Sequence, residues 1–456
     1  MAAKDFIVAI ELGSSKVTGI AGTKNIDGSI NVAAVAKEDS SSFIRRGVVY
    51  NIDKTAQCIQ RIVQQLQNQI KLEITQVYVG VGGQSLRSVK NVIHKDLTPN
   101  TKVTDILVDD MMDTNRSKVY EEKQLLDTVQ QEYKVDNQYI VDPVGIQCSR
   151  LDGNFLNILQ RETFYNSLNK CFEIADVEVA DTIIAPLSLA DSVLTEPEKR
   201  SGCALVDIGA STTTVSVYTK NYLRHLVVIP LGSNNITRDI ASLQIEENEA
   251  EALKLKHASA YTEPNDIDDS LEMPLNAERN VAVSKFINIV EARLEEIIKN
   301  VYYQISEFED KLLGGLILTG GGSNMKNMAK AFTIHTNIEK IRIASFITQT
   351  VNSPIAKDGT MNTILSLLVK GDQNCCGAVY NPDDIFSTTE RDRRAREMRK
   401  KREEEARKKA EEEELLRKVL EEEEAERQKK EEEGKNKPSI GKKISQWFKS
   451  ILEEED

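Results

Sequence analysis

The sequence predicts an α/β protein built from two similar domains, with a small α/β domain inserted into the first. Two observations carry this. The stretch Ala204-Leu205-Val206-Asp207-Ile208-Gly209-Ala210-Ser211-Thr212-Thr213-Thr214-Val215 is an apolar strand ending in an acid, a glycine turn rich in small hydroxyl residues, then β-branched residues in alternation. Near the N-terminus, Phe6-Ile7-Val8-Ala9-Ile10-Glu11-Leu12-Gly13-Ser14-Ser15-Lys16-Val17 repeats strand, acid, x, Gly, hydroxyl, strand. One such unit is also an ordinary hairpin. Two copies far apart in a 456-residue chain imply two similar domains, each lending a hairpin to a shared cleft.

The turn chemistry suits phosphate. Gly13 and Gly209 let backbone approach an anion closely, and Ser14, Ser15, Lys16, Ala210, Ser211 and Thr212 offer N–H, hydroxyl or ammonium donors. Glu11 and Asp207, at the strand ends, can hold a magnesium ion through water. Leu318-Thr319-Gly320-Gly321-Gly322-Ser323-Asn324 reads as strand, flat glycine surface and helix start, able to lie against a base and ribose.

Between these units the chain alternates elements. Asn51 is placed to cap a helix running to Ile70, with Ile59, Ile62, Val63 and Leu66 on its buried face. Val77 to Gly83 reads as a strand entering a loop. From Gln84 to Cys171 the pattern is less regular, with a strand at Val89–His94, an acidic helix at Thr101–Thr114, and turns between Tyr133 and Ile146. A helix from Ala185 to Leu194 forms the hinge. Glu246–Lys256 and Val281–Phe308 read as helices, the second burying Phe286, Ile289, Val290, Leu294, Ile297, Ile298 and Val301.

Composition narrows the function. A formal net charge of −13 argues against general nucleic-acid binding. Six cysteines without repeated spacing read as reduced and buried, though the adjacent pair Cys375-Cys376 is a redox candidate; four scattered histidines show no ligand spacing. With no export signal and no apolar run long enough to span a bilayer, the chain is expected to be cytoplasmic.

The end of the chain is different. Glu390–Glu433 interleaves acids and bases, several at i, i+4, and reads as either a single helix or a disordered charged linker. After Pro438, Ile440, Ile444, Trp447, Phe448, Ile451 and Leu452 fall on one face of a short helix, with Lys442, Lys443 and Lys449 flanking. That is an interfacial membrane anchor, or a helix docked on the body, against which the long spacer argues. The terminal Glu453–Asp456 weakens binding to anionic lipid, so anchoring would depend on avidity.

The two acid-x-Gly hairpins and the Leu318–Ser323 loop together resemble the phosphate and adenosine motifs of the actin, Hsp70 and sugar-kinase superfamily. Within it the chain is most similar to the bacterial cell-division FtsA family. Ile44-Arg45-Arg46-Gly47-Val48, Val79-Gly80-Val81-Gly82-Gly83, Ile183-Ile184-Ala185-Pro186-Leu187 and Ile229-Pro230-Leu231-Gly232-Ser233 support this. The resemblance implies an actin-like two-domain nucleotide-binding fold with ATP and Mg2+ in the cleft, polymerisation into protofilaments, and a role at the inner membrane with other division proteins. It implies that the tubulin-like protein FtsZ binds the helical subdomain, with Arg293, on the exposed side of the long helix, near that contact. The domains are then 1–83 with 172–196 (first core), 84–171 (insert), 197–232 with 310–387 (second core), 233–309 (helical subdomain), 388–439 (linker or helix) and 440–456 (membrane-targeting helix).

Two departures stand out. Glu11 replaces the superfamily's Asp, and the last hinge helix, Met361–Leu368, is poor in Gly and Ala. No residue is evident as the base that activates water, so slow ATP hydrolysis, or binding without turnover, is expected. Two alternatives remain: a small-molecule kinase of the superfamily, which has no use for a spacer and lipid helix, and an actin-like filament with another cytoskeletal role. Hsp70-type chaperoning is disfavoured because no β-rich substrate domain follows.

Overall fold

The computed structural model describes residues 5–27, 29–268, 270–275, 279–346, 351–352, 355 and 358–379. The charged spacer and the Ile440–Leu452 helix lie outside the described residues.

Both halves are built on the same plan. In the first, Ile7–Leu12 pairs antiparallel with Lys16–Lys24, which pairs antiparallel with Ile30–Asp39, while Gln76–Val81 lies parallel on the other side of Ile7–Leu12. In the second, Cys203–Ile208, Thr213–Thr219 and Tyr222–Ile229 repeat the antiparallel trio, and Gly315–Thr319 takes the parallel place. The inner strands are apolar on both faces because helices cover both faces.

In the first half, α1 (Ile52–Ile70) starts at Asn51, whose Oδ1 accepts from the Lys54 N–H, and buries Ile59, Ile62, Val63 and Leu66 as its periodicity requires. It sits so close to the sheet that a Cβ on Gly19 would lie 2.4 Å from Ile62 Cγ2. On the opposite face, Gly80 makes room for Leu367.

The insert differs from the sequence expectation in extent. Its strand is not Val89–His94 but Arg87–Lys102, paired over most of its length with Gln147–Arg161. The helix α2 runs Asp105–Arg116, not Thr101–Thr114, because Thr101 continues the strand and Thr104 caps the helix by accepting from the Leu107 N–H. Lys123–Gln130 pairs with the far edge of Gln147–Arg161. Helix α3 (Glu162–Ala175), partly assigned to the insert by the sequence boundary at Cys171, packs on α1 and puts Cys171, Phe172 and Ala175 into the first core. The insert's sheet also continues into the second domain's sheet, through Arg87 opposite Val227.

The segment expected to form the hinge is α4 (Ala185–Val193), followed by the capped turn of α5 (Glu196–Ser201). The helical subdomain carries α6 (Ser233–Ala241), α7 (Glu247–His257) and α8 (Val283–Ile305). The last begins later than expected because Asn280–Ala282 belongs to a two-stranded ribbon with Glu272–Pro274. It buries Phe286, Val290, Leu294, Ile298 and Val301 against the second sheet and α9 (Met328–Thr336), with Ile289 half-buried. Finally α10 (Asn362–Lys370) crosses α4. Serines stand where Gly or Ala would allow that crossing, and Ser188 Oγ donates to the Ser366 carbonyl at 2.8 Å. All six cysteines are free and buried, Cys375 and Cys376 included.

Candidate functional site

Each acid-x-Gly turn closes in the same way. The Gly13 N–H donates to the Lys16 carbonyl (3.1 Å) and the Gly209 N–H to the Thr212 carbonyl (2.9 Å). A side chain on Gly13 would place its Cβ 2.7 Å from Lys16 O, so the turn admits only glycine. Ser14 Oγ accepts from the Gly47 N–H at 2.7 Å, tying the first hairpin to the Arg46-Gly47 turn. Gly47 and Gly83 then pack backbone to backbone with φ of +71° and +83°; a Cβ on Gly83 would lie 2.3 Å from Gly47 O.

These turns converge on one cavity of about 660 Å³. It is lined by Glu11, Gly13, Ser14, Ser15 and Lys16 from the first hairpin and by Asp207, Gly209, Ala210 and Thr212 from the second. Gly320, Gly321, Gly322 and Asn324 line it from the glycine loop. Ser211 and Ser323 are not among the lining residues; Ser323 is buried and its Oγ donates to the Gly320 carbonyl at 2.7 Å. The glycine loop does not open an α-helix. Gly321–Asn324 forms one 3-10 turn, Asn327 adopts a left-handed conformation, and α9 begins only at Met328. Consecutive glycines are poor helix formers, and Ser323 spends its hydroxyl on the turn.

Gly320 is placed with purpose. A Cβ there would lie 2.3 Å from Asp207 Oδ1, so the bare backbone leaves space for that carboxylate. Burial pushes the Glu11 carboxyl up to about 7, with the Asp207 charge adding to the effect and Lys16 opposing it. Burial alone pushes Asp207 up to about 6. Two neighbouring acids that resist ionisation fit a divalent cation, which would relieve both penalties. Among the described residues there is no cluster of three or more potential metal ligands.

Sequence reasoning missed part of the wall. Helix α7 contributes Glu251, Lys254 and Leu255, and Ala258 follows at its C-cap. Lys254 is buried, and its Nζ lies 2.7 Å from Glu251 Oε2 and 2.9 Å from Thr237 Oγ1. In sequence this Glu-x-x-Lys pair is indistinguishable from a solvent-facing helix pair. Gln160 and Asp358 also line the cavity, and nothing local singles them out.

Arg293 lies elsewhere and is not on an exposed face. It is half-buried, with Nη2 donating to Asp239 Oδ1 at 3.1 Å and Nη1 paired with Glu296, so its charge joins α8 to α6. The membrane-binding set Ile440, Lys443, Ile444, Trp447, Phe448, Ile451 and Leu452 lies outside the described residues.

Comparison with known proteins agrees with this architecture. The family model described as cell division protein FtsA matches residues 204–357, and the model of the SHS2 domain inserted in FtsA matches residues 83–159. The chain is 31% identical over 331 residues to cell division protein FtsA of Porphyromonas gingivalis, covering 71% of this chain and 69% of that one. It is 31% identical over 337 residues to FtsA of Neisseria meningitidis serogroup B, covering 71% and 80%. Among solved structures, the PilM-PilN type IV pilus biogenesis complex shares the fold, with a TM-score of 0.55 at 15% identity, over 80% of this chain and 98% of that one. With the duplicated hairpins, the actin-like halves and the inserted domain all in place, the chain belongs to the FtsA family of cell-division proteins.

Proposed function

We propose that this actin-like division protein binds ATP with Mg2+ in the cleft, polymerises at the inner face of the membrane, and tethers FtsZ filaments there. The convergence of two acid-x-Gly turns and a glycine loop on one cavity carries the nucleotide part. In this reading, backbone N–H groups of the Gly13–Lys16 and Gly209–Thr212 turns hold the phosphates. Glu11 and Asp207 would hold the cation through its waters, and the cation would neutralise the charge between the turns. Lys254 and Glu251 face the nucleoside end, and closure about α4 and α10 clamps the ligand.

The tethering part rests on the sequence beyond Pro438 and on family resemblance. Among the described residues no helix is long and apolar enough to cross a membrane. The terminal segment 440–456 would lie in the lipid interface, and many weak anchors on one filament would give firm attachment. The domain division, with the insert between the halves of the first core, belongs to the same proposal. So does ATP hydrolysis that is slow at most.

Two measurements test it. Titration with a fluorescent ATP analogue should show binding that needs Mg2+ and is lost in Asp207→Asn. Co-sedimentation with anionic liposomes in ATP should pellet the intact chain together with FtsZ, while a chain ending at Pro438 leaves both in solution. Binding without sedimentation would retain the nucleotide reading and remove the tether.

A further inference from the structure

Thr319 ends the strand Gly315–Thr319 and precedes Gly320, the first residue of the glycine loop on the cleft wall. In the sheet it stands opposite Asp207 of the second hairpin. Its hydroxyl oxygen accepts from Asn362 Nδ2 at 3.1 Å, and both residues are buried. The two partners belong to different halves of the molecule. Gly315–Thr319 runs in the second sheet, whereas α10, which Asn362 opens, packs Ile364, Leu365, Leu367 and Leu368 into the first core.

The turn before α10 brings the bond to that point. Asp358 Oδ1 accepts from the Thr360 N–H at 3.0 Å and from the Thr360 hydroxyl at 2.6 Å, and the Gly359 carbonyl accepts from the Asn362 N–H at 3.2 Å. Asp358, Gly359 and Thr360 line the cleft, and a Cβ on Gly359, whose φ is +80°, would lie 3.5 Å from Thr319 Oγ1 and 3.8 Å from the Gly320 nitrogen. The first half thus meets the glycine loop at its base. Four and eight residues on, the same face of α10 carries Ser366, whose carbonyl accepts from Ser188 Oγ, and Lys370, whose Nζ lies 2.7 Å from Asp191 Oδ2. Ser188 and Asp191 are both in α4. The apolar side of α10 docks on the first sheet, and this polar face is what it shows to the rest of the molecule. A hydrogen bond tolerates little displacement, so the bond from Asn362 to Thr319 exists only when the two halves are in this register.

Three consecutive glycines leave the backbone of Gly320–Gly322 more freedom than other residues would. Ser323 restrains it from within, through the bond of its Oγ to the Gly320 carbonyl, and Asn362 restrains it from across the cleft, through Thr319. We propose that Asn362 is a positioning residue for the nucleoside end of a nucleotide bound in this cleft; this rests on the nucleotide reading above. From the first half it holds Thr319, and through it the glycine loop, in the conformation against which the base and ribose lie. Each phosphate hairpin belongs to one half, so the phosphates bring the halves together and the bond then fixes the loop for the nucleoside. The two ends of the ligand are thereby bound cooperatively, and the nucleoside contributes its share of the affinity only while the bond is made.

The test uses the full chain with Mg2+ and measures equilibrium affinity for ATP, ADP and inorganic tripolyphosphate, which carries the phosphates without a nucleoside. Asn362→Leu and Thr319→Val each remove one partner at nearly constant volume. Each should weaken ATP and ADP by about 10-fold, while tripolyphosphate stays within about twofold of the parent. The double variant should bind no more weakly than either single one, because both remove the same bond. Thr319→Ser keeps the hydroxyl and should bind ATP within about twofold of the parent. The proposal is overturned if Asn362→Leu binds ATP like the parent, if tripolyphosphate affinity falls in parallel as a general defect of the fold would make it, or if the two losses add in the double variant. A parent that binds tripolyphosphate as tightly as ATP would also overturn it, and would leave the phosphate part of the nucleotide reading in place. A parent that binds none of the three would remove that reading and the proposal with it.

Discussion

Glu11 and Asp207 set the sign of the pH response. A carboxyl whose folded pKa is raised destabilises the fold when ionised: the cost is absent below its ordinary value near 4.5 and complete above the folded value of about 7. Without a divalent cation, stability should therefore fall as the pH rises from about 5 to about 8. Glu11→Gln removes the charge and should flatten that fall. The gain at high pH is about 2 kcal/mol, below the ~3 kcal/mol of the full shift because cleft water screens the group. With Mg2+ and ATP the order reverses, and the parent gains stability that the variant does not. Urea unfolding in EDTA and in MgATP measures both; matching pH profiles for the two proteins would contradict the electrostatic account. At the same scale, Gly83→Ala forces a Cβ against Gly47 O at a φ of +83°. It should cost about 1–3 kcal/mol and weaken nucleotide binding in the same variant.

Elements were legible where their signals were local. The hairpins announce themselves by an acid, a glycine and hydroxyl residues within five positions, and α1 by its cap and period. The insert was not, because its organising strand, Gln147–Arg161, contains Asp152-Gly153, a turn signal by composition. Gly153 is there for packing: a Cβ would lie 2.9 Å from the Phe155 ring and 3.0 Å from Met111 Cε. Gln160 was equally hidden as a wall residue, since its bond partner Gly82 lies 78 residues away. The hinge helices show the converse. The shortage of Gly and Ala in α10 cast doubt on a close crossing, yet buried Ser188, Ser192 and Ser366 make it, small enough to fit and satisfied by backbone carbonyls. Ser366→Leu should therefore overpack the crossing at a cost of about 1–3 kcal/mol and reduce the thermal shift produced by MgATP. Ser366→Ala, losing only the bond to the Thr363 carbonyl, should stay within about 1 kcal/mol of the parent. Equal effects from the two substitutions would show that volume is not what the crossing restricts.

At the scale of the whole molecule, the insert belongs to the first domain by sequence and to the second by packing. Leu86, Leu156 and Ile158 share a core with Leu205, Leu223 and Leu226 of the second domain and with Leu189 of the hinge. Ser88 Oγ both accepts from the Leu226 N–H and donates to the Leu226 carbonyl. Arg224 completes the joint: Nη1 and Nη2 bind the two Glu132 oxygens at 2.6 and 2.7 Å, and Nη1 also reaches Gln131 Oε1 at 2.9 Å. Hydrogen bonds from Arg224 hold the Glu132 carboxyl below its usual range. An insert fixed in this way cannot move with the first domain alone, so the cleft closure proposed above would either carry the joint or strain it. Arg224→Ala leaves the Glu132 carboxylate with only Lys220, whose Nζ lies 3.7 Å from Oε1, and should cost about 2 kcal/mol near neutral pH. Because the folded pKa of Glu132 is depressed, the stability it contributes is present above its ordinary value near 4.5 and lost as the pH falls through the folded value. The gap between parent and variant should thus be constant from about pH 8 to about pH 5 and narrow below that. Adding Glu132→Gln to Arg224→Ala should recover part of the loss, since an amide tolerates burial better than a lone carboxylate. Limited proteolysis should then cut the insert of Arg224→Ala faster than that of the parent, and ATP should protect it less. An insert equally resistant in both proteins would mean that the shared apolar core alone holds the joint.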